Sequence, residues 1–226
     1  MGIPKQRRLV VGITGASGTI YGVRLLQLLK QTDIETHLIM SHHAQIALAC
    51  ETECKVSDVE GIADVVHQYH DVGAACSSGS FKTLGMVIAP CSIKTMSEIA
   101  AGITGNLLSR AADVSLKERR RVALLLRETP LHAGHIRSML AATEAGAIIY
   151  PPVPAFYAQP RSIAEMVDHT LGRVLDLFDI DIEVVKRWTK KTSDLPLAAM
   201  MPSFIALVTW LAIRHCHRLF SPKETL

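Results

Sequence analysis

No two of the five cysteines in this 226-residue chain form a C-x-x-C pair. Cys50, Cys54, Cys76, Cys91 and Cys216 are odd in number and scattered, which excludes a disulfide framework and a cysteine zinc site and favours a reducing, cytoplasmic setting. Basic runs are lacking too. Lysine and arginine total 24 against 21 acidic residues, for a net charge of +3, and the densest cluster is Arg119-Arg120-Arg121, read as a solvated helix end. A nucleic-acid partner is therefore not expected. Met1 to Arg7 precede the first apolar run without the apolar stretch of a signal peptide, so export is not expected. No G-x-G-x-x-G fingerprint occurs, and none of Tyr21, Tyr69, Tyr150 or Tyr157 has a lysine four residues later, which disfavours dinucleotide and short-chain dehydrogenase readings. The acidic stretch Asp176, Asp179, Asp181 and Glu183 has no partner motif with which to hold a magnesium diphosphate and reads as a solvated helix end.

What is present is a series of short apolar runs alternating with helical patterns. Leu9 to Ile13, Thr36 to Met40, Met86 to Ala89, Val122 to Leu126 and Ala147 to Ile149 have the length and two-sided apolarity of strands covered on both faces. Between them, Ile20 to Leu29 places Tyr21, Leu25, Leu28 and Leu29 near one helical face, and Leu131 to Ala145 does the same with Ile136, Met139 and Leu140. The pattern predicts an α/β fold: a doubly wound, mostly parallel sheet in a Rossmann-like or flavodoxin-like three-layer sandwich. Residues 1–190 are expected to form this single domain, with 191–226 as an apolar tail. Within the tail, Leu195 to Ile213 carries no charge, but Pro196 and Pro202 interrupt it. The uninterrupted part, Ser203 to Ile213, would span about 16 Å at roughly 1.5 Å per residue. A membrane contact is therefore the lesser expectation, behind an oligomer-packing helix or an unstructured tail.

In an open parallel sheet, ligands bind outside the carboxyl ends of the strands. The residues there are Thr14-Gly-Ala-Ser-Gly18, Ser41, Pro90-Cys-Ser92, Arg127-Glu128 and Tyr150-Pro-Pro-Val-Pro154. Gly12, Gly15 and Gly18 surround a strand-to-helix turn able to receive a phosphate, and a mononucleotide such as FMN fits it better than a dinucleotide. Arg127 follows a strand expected to be central and can bind phosphate by two hydrogen bonds, while Glu128 beside it can move a proton. Arg110 and Lys117 fall on one face of a helix, either as a phosphate clamp or as part of a surface ion-pair lattice. Cys91 reads either as a nucleophile without an activating histidine or as small apolar packing. Neither His42-His43 nor His132 with His135 has a third ligand placed by sequence, so no metal is expected.

Several stretches in order resemble the flavin prenyltransferases, the UbiX/Pad family, including the small subunit of hydroxyarylic acid decarboxylase systems. They are Gly12-Ile-Thr-Gly-Ala-Ser-Gly18, Ser77-Ser-Gly-Ser-Phe81, Pro90-Cys-Ser-Ile-Lys-Thr95, Asn106 to Arg119, Arg127-Glu-Thr-Pro130, Pro152-Val-Pro-Ala-Phe-Tyr157 and Arg187-Trp188. The resemblance implies transfer of a dimethylallyl group from dimethylallyl monophosphate to N5 and C6 of reduced FMN, without a metal. It further implies delivery of the prenylated FMN to a separate UbiD-type decarboxylase, and a homo-oligomer, often a dodecamer. It assigns FMN to Gly15, Ala16, Ser17, Ser41, Ser92, Ile93, Lys94, Thr95 and Arg127. The substrate phosphate falls to Lys117, Arg127, Tyr157 and Arg173, with Arg110 and Glu51 as further substrate-site residues. Glu128 is then the acid/base, Ser17 joins it among the catalytic residues, and Trp188 closes over the site.

Three features depart from the family pattern. Leu126 stands where a proline usually precedes the Arg-Glu pair, His135-Ile-Arg-Ser-Met139 replaces His-Leu-Glu-Asn-Met, and the tail beyond Ser193 has no family counterpart.

Overall fold

The computed structural model describes residues 7–188. The chain divides into two compact units, Met1–Lys186 and Arg187–Leu226. The first unit holds a six-stranded sheet of β1 (Arg7–Ile13), β2 (Ile34–Met40), β3 (Val65–His67), β4 (Gly85–Cys91), β5 (Arg121–Leu126) and β6 (Ala147–Ile149). Their order is β3-β2-β1-β4-β5-β6, and every pairing is parallel. The expected doubly wound fold is present, with the sequence reversing direction between β1 and β4.

The interior strands β1, β4 and β5 are apolar on both faces because helices cover both. On one side α1 (Thr19–Leu29), α2 (His42–Glu51) and α7 (Ile163–Asp176) bury Leu26, Leu48 and Leu171 against Leu9, Val11 and Leu125. On the other, α4 (Ile93–Ala100) and α5 (Leu107–Lys117) bury Met96, Leu108 and Ala111 against Val10, Ile88 and Leu124. Each such leucine contributes roughly 1.5–3 kcal/mol of burial. A short helix, α3 (Val56–Glu60), precedes β3.

Three local expectations change. The irregular segment before β4 contains a sixth strand, β3, which lies at an edge and is only half-buried. Polar contacts hold it: His67 Nε2 lies 2.9 Å from His37 Nδ1, and the Asp64 carboxylate takes the backbone N–H and hydroxyl of Thr36. Strand β5 is second from an edge rather than central, although β6 and the helices bury all of it after Arg121. The helix expected over Leu131 to Ala145 runs from Ala133 to Glu144 as α6, but it buries only Ala142. Ile136 and Leu140 are 56% and 59% exposed. Met139, the third residue of the expected face, packs partly against the core, so only the Ile136 and Leu140 part of the face is open among the described residues.

Candidate active site

Three strand-to-helix turns meet at the switch point. Thr14, 2% exposed, joins two of them. Its hydroxyl donates to the Pro90 carbonyl at 2.8 Å and accepts from the Ser92 N–H at 2.8 Å, while its own N–H reaches the same carbonyl at 3.2 Å. Ser92 then caps α4, its hydroxyl accepting from the Thr95 N–H and donating to the Thr95 hydroxyl. Ser41 caps α2 by accepting from Ala44 N–H and ties back to β1 through its own N–H to Ile13. Each serine satisfies one N–H of a first turn; the remaining N–H groups of such a turn have no helical partner and suit an anion. Ile93 and Lys94 lie in the first turn of α4, where the Lys94 ammonium pairs with Glu98.

The α1 terminus is built differently. Gly18 at its start adopts φ +101°, a conformation that favours glycine, and offers no side chain as a cap. Glu51, at the far end of α2, supplies the acceptor. Its carboxylate takes the N–H of Gly18 and Thr19 and the Thr19 hydroxyl at 2.8–3.0 Å. Burial alone would raise this carboxyl, but the Ser17 hydroxyl and the Thr19 and Gly18 donors outweigh it and hold the group below its ordinary value. The Gly15-Ala16-Ser17 turn thus has a carboxylate of the chain itself on its helix dipole, so the α2 and α4 termini are the ones open to an anionic ligand.

At the carboxyl end of β5, the Arg127 N–H bonds to the Cys91 carbonyl at 3.0 Å, holding the Arg127-Glu128 pair beside the Ser92 turn. Arg127 is exposed, and its guanidinium has no hydrogen bond or ion pair among the described residues. Glu128 is half-buried, one carboxylate oxygen accepting from the Thr129 N–H at 3.1 Å. Cys91 is fully buried and burial pushes its thiol well up, which removes the nucleophile reading.

The other expected cations are each engaged within their own helix or at its end. Arg110 pairs with Asp113 at 2.8 Å, Lys117 with Glu118 at 2.7 Å, and Arg173 with Asp176. Tyr157 sits in a 3-10 turn after β6 and packs edge-on against His169, one helical turn before Arg173 on α7. Burial raises the neighbouring Tyr150 hydroxyl, with the Arg173 charge working against that rise. Beside this group a cleft of about 460 Å³ is lined by Gln159, Arg161, Asp168, His169 and Lys186, among others. Lys117 stands apart from all of them. It ends α5, whose chain turns directly into the start of β5, so about 20 Å of strand separates it from Arg127 at the other end. Trp188 belongs to the second unit. Among the described residues no three His, Cys, Asp or Glu side chains gather as metal ligands.

Comparison with known proteins gives the family of the chain. The family model described as Flavoprotein matches residues 3–187. The flavin prenyltransferase UbiX of Escherichia coli K12 is 56% identical over 186 residues, covering 81% of this chain and 98% of its own. The chain belongs to the flavin prenyltransferases. Its fold agrees with solved members of that family. A UbiX protein (PadA1) crystallised with FMN and dimethylallyl pyrophosphate is 48% identical with a TM-score of 0.81, covering 82% of this chain and 98% of its own. A dodecameric FMN-dependent UbiX-like decarboxylase from Escherichia coli O157:H7 is 44% identical with a TM-score of 0.79, covering 80% and 99%.

Thr14 was not singled out by sequence as a site residue, although it is the hydroxyl that couples the two central turns. Its signal was a threonine directly after a buried strand, indistinguishable there from an ordinary turn residue.

Proposed function

We propose that this chain transfers a dimethylallyl group from dimethylallyl monophosphate to N5 and C6 of reduced FMN, and that the prenylated flavin serves a UbiD-type decarboxylase. The observation that carries this reading is the Arg127-Glu128 pair, an unengaged cation and a half-buried carboxyl side by side at the switch point. Bound reduced FMN would supply the electron-rich ring that receives the prenyl group. The turns capped by Ser41 and Ser92, with Ala16, Ile93, Lys94 and Thr95, would hold it, the phosphate taking a first-turn position that Glu51 does not occupy.

An allylic monophosphate leaves as a poor, doubly charged anion, so cations and a proton at its oxygen must stabilise the breaking C–O bond. Arg127 supplies a planar fork for two phosphate oxygens, and Glu128 donates the proton and later takes one back. Tyr157 and Arg173 extend the phosphate site, and Glu51 takes the Ser17 hydroxyl proton, which leaves the Ser17 oxygen as an acceptor beside the flavin. Lys117, at the opposite edge of the sheet, joins such a site only from a second copy of the chain. A homo-oligomer meets that requirement, and the uncovered Ile136 and Leu140 on α6 offer apolar surface for it. The free thiols Cys50, Cys54, Cys76 and Cys91 favour the cytoplasm as the working compartment.

The test is anaerobic incubation of the full chain with reduced FMN and either dimethylallyl monophosphate or diphosphate, followed by mass spectrometry of the released flavin. The expected result is a gain of one C5 unit with the monophosphate. Recovery of unmodified FMN from protein that binds it, with either donor, overturns the reading.

A further inference from the structure

The last turn of α5 faces the serine-rich loop that leads into β4, and the two are built around a missing side chain. Arg120 grips that loop with both guanidinium nitrogens, donating to the Phe81 and Gly79 carbonyls at 2.7 Å each. Such paired, charge-assisted bonds fix the loop backbone more firmly than a single neutral bond would. A β-carbon added to Gly79 would lie 2.2 Å from the Glu118 carboxylate oxygen and 3.0 Å from the Lys117 ammonium. The first distance is shorter than real β-carbons show and the second is a tight contact, so any side chain at this position displaces the end of Glu118 from its seat. Ser78 and Ser80 bond to each other across the loop at 2.9 Å.

We infer that Gly79, Glu118 and Arg120 are positioning residues that fix the Lys117 ammonium for the substrate phosphate. This rests on the proposed role of Lys117 as a phosphate ligand. A lysine ammonium has three donors on a flexible stem. Glu118 takes one of them, and with its carboxylate seated over Gly79 the stem is held in one direction, leaving two donors for an incoming anion. Arg120 keeps the seat in place by holding the Gly79 carbonyl.

The test compares the full-chain Gly79→Ala, Glu118→Gln and Lys117→Ala variants in prenyl transfer, with FMN affinity and thermal midpoint measured alongside. The atom that a methyl group would displace is the end of a flexible side chain, so Gly79→Ala is expected to fold. It should raise KM for dimethylallyl monophosphate about three- to fivefold, the scale of an exposed charged pair, with kcat within twofold and FMN affinity unchanged. Glu118→Gln should move KM in the same direction, and it keeps the test open if Gly79→Ala is unstable. Combining Gly79→Ala with Lys117→Ala should add nothing to Lys117→Ala alone. If Lys117→Ala raises KM while Gly79→Ala and Glu118→Gln leave it unchanged or lower it, the positioning role is overturned and the phosphate role stands. If Lys117→Ala itself leaves KM unchanged, the underlying reading of Lys117 fails, and the inference with it.

Discussion

The turns that form the crevice and the cations assigned to its phosphate site handle charge in opposite ways. At the carboxyl edge, polar groups are locked by partners far away in sequence: Thr14 by Pro90 and Ser92, and the α1 terminus by Glu51. Arg110 and Arg173 are instead each matched to a carboxylate three residues along in part-exposed pairs. Distant partners give a rigid cradle whose shape precedes the ligand. Near, solvated partners give cations that are held loosely and surrendered at little cost, since exposed pairs are worth only about 0–1 kcal/mol. A bound cofactor suits the first construction, and a phosphate that arrives and leaves every turnover suits the second.

The contrast breaks first at Glu128. Glu128→Gln keeps the shape but not the proton, and a loss of about 100-fold or more in prenyl-transfer rate with unchanged FMN affinity is expected. Activity near that of the unaltered chain would remove Glu128 from the chemistry. Next comes the cradle. Thr14→Val leaves the Ser92 N–H without its partner and should destabilise by about 1–3 kcal/mol in denaturant unfolding, weakening FMN binding as well, whereas Thr14→Ser should restore both. If valine is harmless, the two turns are not coupled through this hydroxyl.

Smaller effects are expected at the loose pairs. Arg173→Ala should raise KM for dimethylallyl monophosphate about tenfold, the scale of one charged hydrogen bond, without changing FMN affinity. The smallest effect concerns acid. Glu51 sits below its ordinary carboxyl value near 4.5 in the fold, so its stabilisation is complete above that value and is lost as pH falls through the lower native one. A plot of thermal midpoint against pH should therefore decline on the acid side, and Glu51→Gln should flatten that limb. An unchanged limb would assign the acid sensitivity to other carboxylates.

Five of the six strands were legible because two-sided apolar runs have few alternatives in a sheet covered on both faces. Strand β3 was not, since three partly exposed residues held by His37 and Asp64 are too short a run to stand out. Apolarity also could not distinguish a central strand from a covered neighbour, which is why β5 was expected one place too far inward. Periodicity found the Ile136 and Leu140 face of α6 correctly but carries no information on what covers it. In the site, Arg127-Glu128 was readable because two charges directly after an apolar run must lie at a strand end. The cap that Glu51 gives to α1 was not, because no local rule links a glycine turn to a carboxylate at the end of the next helix. Its place among the site residues came from family resemblance alone. The predicted tail features from Leu195 onward lie outside the described residues.

The strand order also sets a schedule for synthesis. β1, β2 and β3 are complete once His67 has been made, whereas the other neighbour of β1, β4, begins only at Gly85 and pairs with β5, which in turn pairs with β6 as far as Ile149. The sheet is therefore two three-stranded halves closed along a single seam, Val10 to Gly12 against Met86 to Ile88. At about 5–20 residues per second, the nascent amino-terminal half waits seconds for its counterpart. The crevice lies across that seam and comes into being only when it closes. Whatever binds there acts as a latch between halves, and slower hydrogen exchange at the amides of Val10 to Gly12 would register its arrival.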